Sequence, residues 1–214
     1  MEPFIRSDQY NFIKYQIQIL INGYTSVNDK AVLNALKSLV SERVFSLFPD
    51  LTEVQQQLLN PINDIKNSDR AEKVLDQLQP FVLPFKEVSE QSIKKLFPKA
   101  KKLKLPISKD IKLTEMTYLG WDDLGSNSKF IVTYFNGKLI GLQGTFKPLN
   151  KKGNCTICNK FEDLGMFMTK TKGKLEGTFI QRGNYICLDS QKCNQNITTL
   201  NKLNDFIMLI KEDK

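Results

Sequence analysis

GNCTICNK, residues 153–160, and NYICLDSQKCNQN, residues 184–196, together contain all four cysteines of this chain of 214 residues, which has no histidine. The cysteines form a C-x2-C pair at 155 and 158 and a C-x5-C pair at 187 and 193. Two such pairs, brought together by the fold, complete a tetrahedron of sulfurs, which is the closed geometry of structural zinc. The sequence therefore predicts one structural Zn²⁺ ion held by Cys155, Cys158, Cys187 and Cys193.

Two other interpretations of the cysteines stay open, namely four unrelated buried thiols and a thioredoxin-like redox pair at Cys155 and Cys158. The redox pair is less favoured, because its motif belongs at the strand-to-helix turn of a βαβ unit and the pattern of this chain shows no such unit. The order of elements indicates a treble-clef-like zinc finger instead. It has a C-x2-C turn, then a hairpin, then Cys193 directly before a helix whose N–H groups favour a thiolate.

The residues around the cysteines have the pattern of an antiparallel sheet. Apolar residues alternate over 111–121, and KFIVTYF (129–135) and KLIGLQGTF (138–146) flank Asn136-Gly137. An Asn-Gly pair between two β-prone runs is the strongest short-range signal for a hairpin. Further elements are expected as strands at 164–170, 177–181 and 184–187, and as a C-terminal helix at about 195–211.

The first part of the chain has helical periodicity instead. Four helices are predicted there: one from about Ser7 to a stop at Gly23, one capped by Ser26 or Asn28 and closed by Pro49, one over 51–59, and one from Ser68 to before Pro80. A linker with one short helix at about 89–97 follows. The sequence thus predicts an α+β fold with two domains: a helical bundle at 1–85, then an antiparallel-sheet domain at 86–214 with the zinc finger and a C-terminal helix.

The charge of the chain is uneven. Its net charge is +8, but residues 1–89 have 9 Lys and Arg against 11 Asp and Glu, whereas residues 90–214 have 22 against 12. The basic excess therefore belongs to the predicted zinc domain, which we expect to meet an acidic partner, either RNA or protein.

The residue inventory argues against an enzyme. Without histidine there is no Ser-His-Asp triad or Cys-His pair, and no phosphate-binding glycine motif occurs. The acidic pairs Asp122-Asp123 and Glu162-Asp163 are typical of solvated charges or caps. The N-terminus has neither a secretory signal nor a membrane span. We therefore expect a cytoplasmic binding protein, a monomer, with no small-molecule substrate.

Three stretches carry a resemblance to a known family: LGWDDLGSNSKFIVTYF at 119–135, KGNCTICNK at 152–160 and RGNYICLDSQKCNQN at 182–196. They resemble the FusB-type fusidic acid resistance proteins, an elongation factor G-binding family with a C-terminal four-cysteine zinc domain. The resemblance extends along essentially the whole chain and includes PFVLP at 80–84 and the lysine-rich segment 94–104. It implies that the protein binds elongation factor G and releases it from ribosomes on which fusidic acid has locked it, without modifying the drug.

The resemblance also implies a partner-binding surface in the zinc domain. The matched positions are Arg182, Tyr185 and Phe206. From the residues alone, Tyr185 is equally a packed strand residue, Phe206 lies on the apolar side of its helix, and Arg182 is equally a solvated charge. Two departures from the family pattern, Asn154 and Ser128, each remove a plausible contact and predict weaker binding.

A direct RNA-binding zinc module acting in translation is the rival interpretation. The lysines at 94, 95, 99, 101, 102 and 104 could lie near the phosphates of ribosomal RNA, although such a run is usually a solvated helix face. This interpretation predicts steep salt dependence and affinity for ribosomal RNA alone.

Overall fold

The computed structural model describes residues 1–100, 103 and 112–211. It has the predicted α+β fold, with helices first and an antiparallel sheet after them. The chain divides into two compact units, Met1–Leu83 and Pro84–Lys214. The domain limits that the sequence predicts, 1–85 and 86–214, stay a prediction. Over the described ranges, no helix combines the length and the apolar character that crossing a bilayer requires.

The first unit consists of helices whose apolar sides meet in one core. They are α1 (Ser7–Ser26), α2 (Lys30–Phe45), α3 (Glu53–Leu59) and α4 (Ser68–Leu78), with short 3-10 turns at Asn60–Asp64 and Gln79–Phe81. The core consists of buried aliphatic residues, among them Ile13, Ile17, Val40, Leu59 and Val74. The four predicted helices are confirmed, since each apolar stripe had the 3.6-residue period that burial of one helix face requires.

The structure corrects two of the predicted helix ends. Gly23 does not stop α1 but lies buried inside it, where a Cβ would collide with Leu36 of α2. Its small size allows the two helices to approach each other. The cap of α2 is Asp29 rather than Ser26 or Asn28, since the Asp29 carboxylate accepts the N–H groups of Ala31 and Val32.

The second unit is built on a five-stranded antiparallel meander in the order β1-β2-β3-β4-β5. Its elements are α5 (Glu90–Leu96), β1 (Leu119–Asp123), β2 (Ser128–Phe135), β3 (Lys138–Asn154), β4 (Phe161–Lys172), β5 (Phe179–Cys187), α6 (Ser190–Asn196) and α7 (Asn201–Lys211). The predicted hairpin is confirmed. Asn136 and Gly137 both have positive φ, 49° and 74°, as a two-residue type I′ turn requires.

The two faces of the sheet are covered by different helices. Neighbouring residues of a strand point to opposite faces. Ile131 therefore packs on the side of α7, against a cluster that includes Phe206, whereas Phe130 and Val132 belong to a second cluster with Ile93 of α5. The cysteines lie in the first of these clusters.

The end of the chain differs from its prediction. The expected strands at 177–181 and 184–187 are one strand, β5, and the expected helix at 195–211 is two helices, α6 and α7. The break comes at Ile197, whose extended backbone (ψ 116°) ends α6. Of the lysine run, Lys94 and Lys95 lie in the last turn of α5, while residues 101, 102 and 104 lie outside the described residues.

Candidate metal centre

The first cysteine pair sits on a tight turn at the end of the β3–β4 hairpin. Cys155 follows directly on β3, its N–H donates to the carbonyl of Lys160 at 3.0 Å, and its carbonyl accepts the N–H of Asn159 at 2.8 Å. Asn159 has a positive φ of 55°, which lets the chain reverse tightly enough to point both sulfurs inward. The N–H and the hydroxyl of Thr156 both donate to the carbonyl of Tyr185, which attaches the turn to β5.

The second pair comes from the end of β5 and from α6. Cys187 is the last residue of β5, opposite Leu164 of β4. Cys193 lies inside α6 rather than before a helix at 195, since Asp189 caps α6 by accepting the N–H groups of Gln191 and Lys192. The N–H of Cys193 donates to the Asp189 carbonyl at 3.0 Å. The first turn of α6 therefore holds the fourth sulfur.

The four sulfurs converge. Cys155 Sγ lies 3.8 Å from Cys193 Sγ, Cys158 Sγ lies 3.6 Å from Cys187 Sγ, and all four lie within 4.8 Å of one another. All four cysteines are buried and none forms a disulfide, a bond that would require about 2.05 Å between sulfurs. This arrangement is compatible with a metal ion bound by four thiolates.

As free thiols, these four groups would perturb each other strongly. Hydrogen bonds from the neighbouring thiols, that of Cys158 first, lower the pKa of Cys155, whereas hydrogen bonding to Cys155 raises the pKa of Cys187 and of Cys193. Not all four can ionise together in a buried site unless a cation compensates their charge. A bound metal ion supplies that charge and keeps coordinating thiols deprotonated.

A tyrosine that was not selected from the sequence lies in the same buried cluster as the candidate ligands. Tyr118, just before β1, is buried in the same core cluster as Cys193. Burial, and then the charge of Cys193, raises the pKa of Tyr118 well above its usual range. The hydroxyl therefore keeps its proton and can donate it in a hydrogen bond to a thiolate.

A buried asparagine attaches α6 to the start of β1. Asn194 Oδ1 accepts the N–H groups of Thr117 at 2.7 Å and Tyr118 at 3.0 Å, and its Nδ2 donates to the carbonyls of Tyr118 at 3.0 Å and Ser190 at 2.9 Å. One amide thus satisfies both backbone polar groups of Tyr118. Since Asn194 follows Cys193, this network also positions the Cys193 sulfur.

A buried lysine braces the segment between Cys187 and α6. The Lys129 ammonium group, 1% exposed, donates to both oxygens of Asp122, at 2.9 and 3.2 Å, and to the carbonyl of Leu188 at 3.0 Å. It also lies 4.2 Å from the centre of the Phe146 ring. Lys129 was not selected from the sequence, because its partner Leu188 is 59 positions along the chain.

Three acidic side chains of the two pairs, those of Asp122, Asp123 and Glu162, have partners within the fold. Asp122 binds Lys129, and Asp123 accepts the Gly125 N–H in the β1–β2 turn. Glu162 accepts from Lys192 at 2.7 Å and from Asn196 at 3.0 Å, which joins β4 to α6, and its pKa is lowered, first by the hydrogen bond from Lys192.

The three partner-binding residues expected from the family resemblance lie in different settings. Arg182 and Tyr185 are on β5, where Tyr185 is 40% exposed, so its ring can reach a partner. Phe206 is fully buried in α7 and packs on Phe167 with ring centres 5.7 Å apart. Its ring is part of the core in this structure, and its role in partner binding stays a prediction. Of the two departures, Asn154 is exposed at the end of β3 and Ser128 is buried at the start of β2.

Comparisons with known proteins agree with this architecture. Residues 4–86 match the family model described as elongation factor G-binding protein, N-terminal. No curated protein sequence matches the chain. Among solved structures, that of the fusidic acid resistance protein FusC is similar to this chain with a TM-score of 0.82 and 34% sequence identity, covering 97% of each chain. At that identity over nearly its full length, the chain belongs to the FusB-type fusidic acid resistance proteins, the elongation factor G-binding family.

Proposed function

We propose that this protein binds elongation factor G and promotes its release from ribosomes stalled by fusidic acid, and so gives resistance by protecting the target of the drug. The observation that carries the proposal is the similarity to FusC, which extends over 97% of both chains and therefore includes the four-cysteine unit as well as the helical one. The family model over residues 4–86 supports the same partner.

We further propose that the four cysteines bind one structural Zn²⁺ ion. A tetrahedral ion with Zn–S bonds of about 2.3 Å places its sulfurs about 3.8 Å apart. The sulfur distances of 3.8 and 3.6 Å are close to this value. Four thiolates leave no position for water, so the ion would stabilise the fold rather than activate a substrate. Tyr118 would donate to the Cys193 thiolate as an outer-shell partner.

The proposed mechanism needs no covalent chemistry. Residues 90–214 have 22 Lys and Arg against 12 Asp and Glu, so this basic unit would dock on an acidic surface of the factor. Tyr185, with its exposed ring, and Arg182 would contribute contacts. The protein would release the factor by binding more tightly to a conformation of the factor that has lower affinity for the ribosome. The conformational equilibrium of the factor can shift by no more than the difference in binding free energy of this protein for the two conformations. We propose a monomer that acts in the cytoplasm.

Calorimetric titration of elongation factor G into the zinc-loaded protein tests the proposal. We expect one-to-one saturation, and a loss of affinity of about tenfold or more for Tyr185→Ala, since a partly exposed aromatic is a typical interface anchor. The fold should survive this change, because the Thr156 hydrogen bonds use the backbone carbonyl of Tyr185.

Fragments of ribosomal RNA serve as the parallel titrant. Binding to RNA with no binding to the factor, fading steeply with salt, would overturn the proposal in favour of an RNA-binding zinc module.

A further inference from the structure

The ends of β4 and β5 that lie farthest from the cysteines form an arm, residues 169–182. Pairing of β3 with β4 begins at Thr145 opposite Met168, whereas β4 and β5 stay paired as far as Lys172 opposite Phe179. Within the part of the chain that the structure describes, the strands of the arm thus pair only with each other. A two-stranded ribbon is marginally stable alone, so a partner that packs on the arm would stabilise it.

The tip of the arm presents an apolar side chain on a defined turn. Gly173 N–H donates to the Thr178 carbonyl at 2.9 Å, and Thr178 N–H donates to the Leu175 carbonyl at 3.1 Å. Gly177, with φ of 78°, completes the reversal. This turn leaves the Leu175 side chain 74% exposed.

An aromatic ring flanked by lysines lies next to the tip. Phe179 is 56% exposed, Lys170 Nζ lies 4.0 Å from the centre of its ring, and Lys172 is its cross-strand neighbour. An aromatic side chain surrounded by charged groups has the composition of an interface centre with a polar rim. With this cation–π contact in place, more than half of Phe179 remains exposed.

The charge of the arm is strongly positive. Its 14 residues include Lys170, Lys172, Lys174 and Arg182 against one acidic residue, Glu176. Clustered charge of one sign steers an oppositely charged partner and weakens binding to a like-charged one. The arm is therefore suited to an acidic surface.

We propose that the arm, residues 169–182, docks on an acidic protein surface that has an apolar pocket for Leu175 and Phe179. The assignment rests on the proposed function, under which that surface belongs to elongation factor G. The exposed Leu175 side chain favours a protein rather than RNA as the partner of the arm. An aliphatic side chain gains most from burial in an apolar pocket, whereas nucleic acid offers phosphates and base faces that bind cations and aromatic rings.

The test compares two double variants of the full-length, zinc-loaded chain in titrations with elongation factor G. The arm variant is Leu175→Ser with Lys174→Glu. Its matched control is Leu124→Ser with Lys138→Glu, since Leu124 is 88% exposed in the β1–β2 turn and Lys138 is exposed at the start of β3. We expect the arm variant to lose affinity by about tenfold or more and to lose part of the salt dependence, while the control binds like the wild type.

Three outcomes would overturn the assignment, and they are distinguishable. Equal binding by the arm variant and the wild type, both to the factor and to ribosomal RNA, would reject the arm but keep the proposed function. Unchanged binding to the factor together with lost binding to ribosomal RNA would assign the arm to RNA. Absence of factor binding by the wild type itself would overturn the proposed function, and the assignment with it. Thermal unfolding of each variant excludes loss of fold as the cause.

Discussion

Cys155→Ser or Cys187→Ser is expected to abolish the cooperative thermal transition of Pro84–Lys214 and to leave that of Met1–Leu83 in place. The four sulfurs are buried within the core cluster that also contains Ile157, Ile197 and Phe206, so loss of the ion would open this core. Binding of structural zinc is worth about 10–16 kcal/mol in small zinc domains, which is as large as the whole stability of an ordinary domain.

Circular dichroism against temperature, with zinc content from elemental analysis, measures this effect. Thr156→Ser is a matched control, because it changes the same turn but keeps its hydroxyl and both cysteines. We expect one zinc per chain for the wild type and the control, and less than one for either cysteine variant. A cooperative transition of the sheet unit that persists in the presence of a chelator would contradict the structural role of the metal.

Asn194→Ala is expected to lower the stability of the sheet unit by about 2–6 kcal/mol, since the N–H and the carbonyl of buried Tyr118 each lose a partner at a cost of about 1–3 kcal/mol. The change removes the acceptor for the N–H groups of Thr117 and Tyr118 and a donor to the Tyr118 carbonyl. Because Asn194 and Tyr118 are both 1% exposed, water cannot replace these bonds without opening the core.

Urea unfolding of the full-length, zinc-loaded chain measures the change in free energy. Asn196→Ala is the matched control in the same helix, since its Nδ2 makes one hydrogen bond, to Glu162, and should cost about 1 kcal/mol. Equal losses of unfolding free energy for the two substitutions would show that the buried hydrogen bonds of Asn194 stabilise the unit no more than the single bond of Asn196.

Much of the sheet and of the cysteine site could be predicted because the decisive residues are local. Asn136-Gly137 has the left-handed preference that a two-residue hairpin requires, and a C-x2-C turn brings two sulfurs to one side within four residues. The helical unit was similarly accessible, since each helix buries one face and so leaves a periodic stripe in the sequence.

Two of the errors in helix limits have different causes, a distant contact in the first helix and a local cap and break in the last. Gly23 was predicted to end α1, yet it lies inside the helix. A glycine is needed there because any larger side chain would collide with Leu36 of α2. The division of the last helix follows from the Asp189 cap and the extended Ile197, neither of which interrupts the apolar periodicity.

The polar residues around the candidate site were not predictable because their partners are distant in the sequence. Asn194 meets Thr117 and Tyr118, 77 and 76 positions away, and Lys129 meets Leu188, 59 positions away. A side chain whose hydrogen bonds span such distances has the same local sequence pattern as a solvated one. For Tyr118, the sequence did contain a local indication of burial, since it is an aromatic residue in the alternating run that leads into β1.

The most direct measurement of the central claim is the rate at which elongation factor G dissociates from ribosomes stalled with fusidic acid, with and without this protein. We expect the protein to accelerate dissociation in a saturable manner, and Tyr185→Ala to require a higher concentration for the same effect. A dissociation rate that does not change at protein concentrations that saturate the free factor would contradict release as the mechanism of resistance.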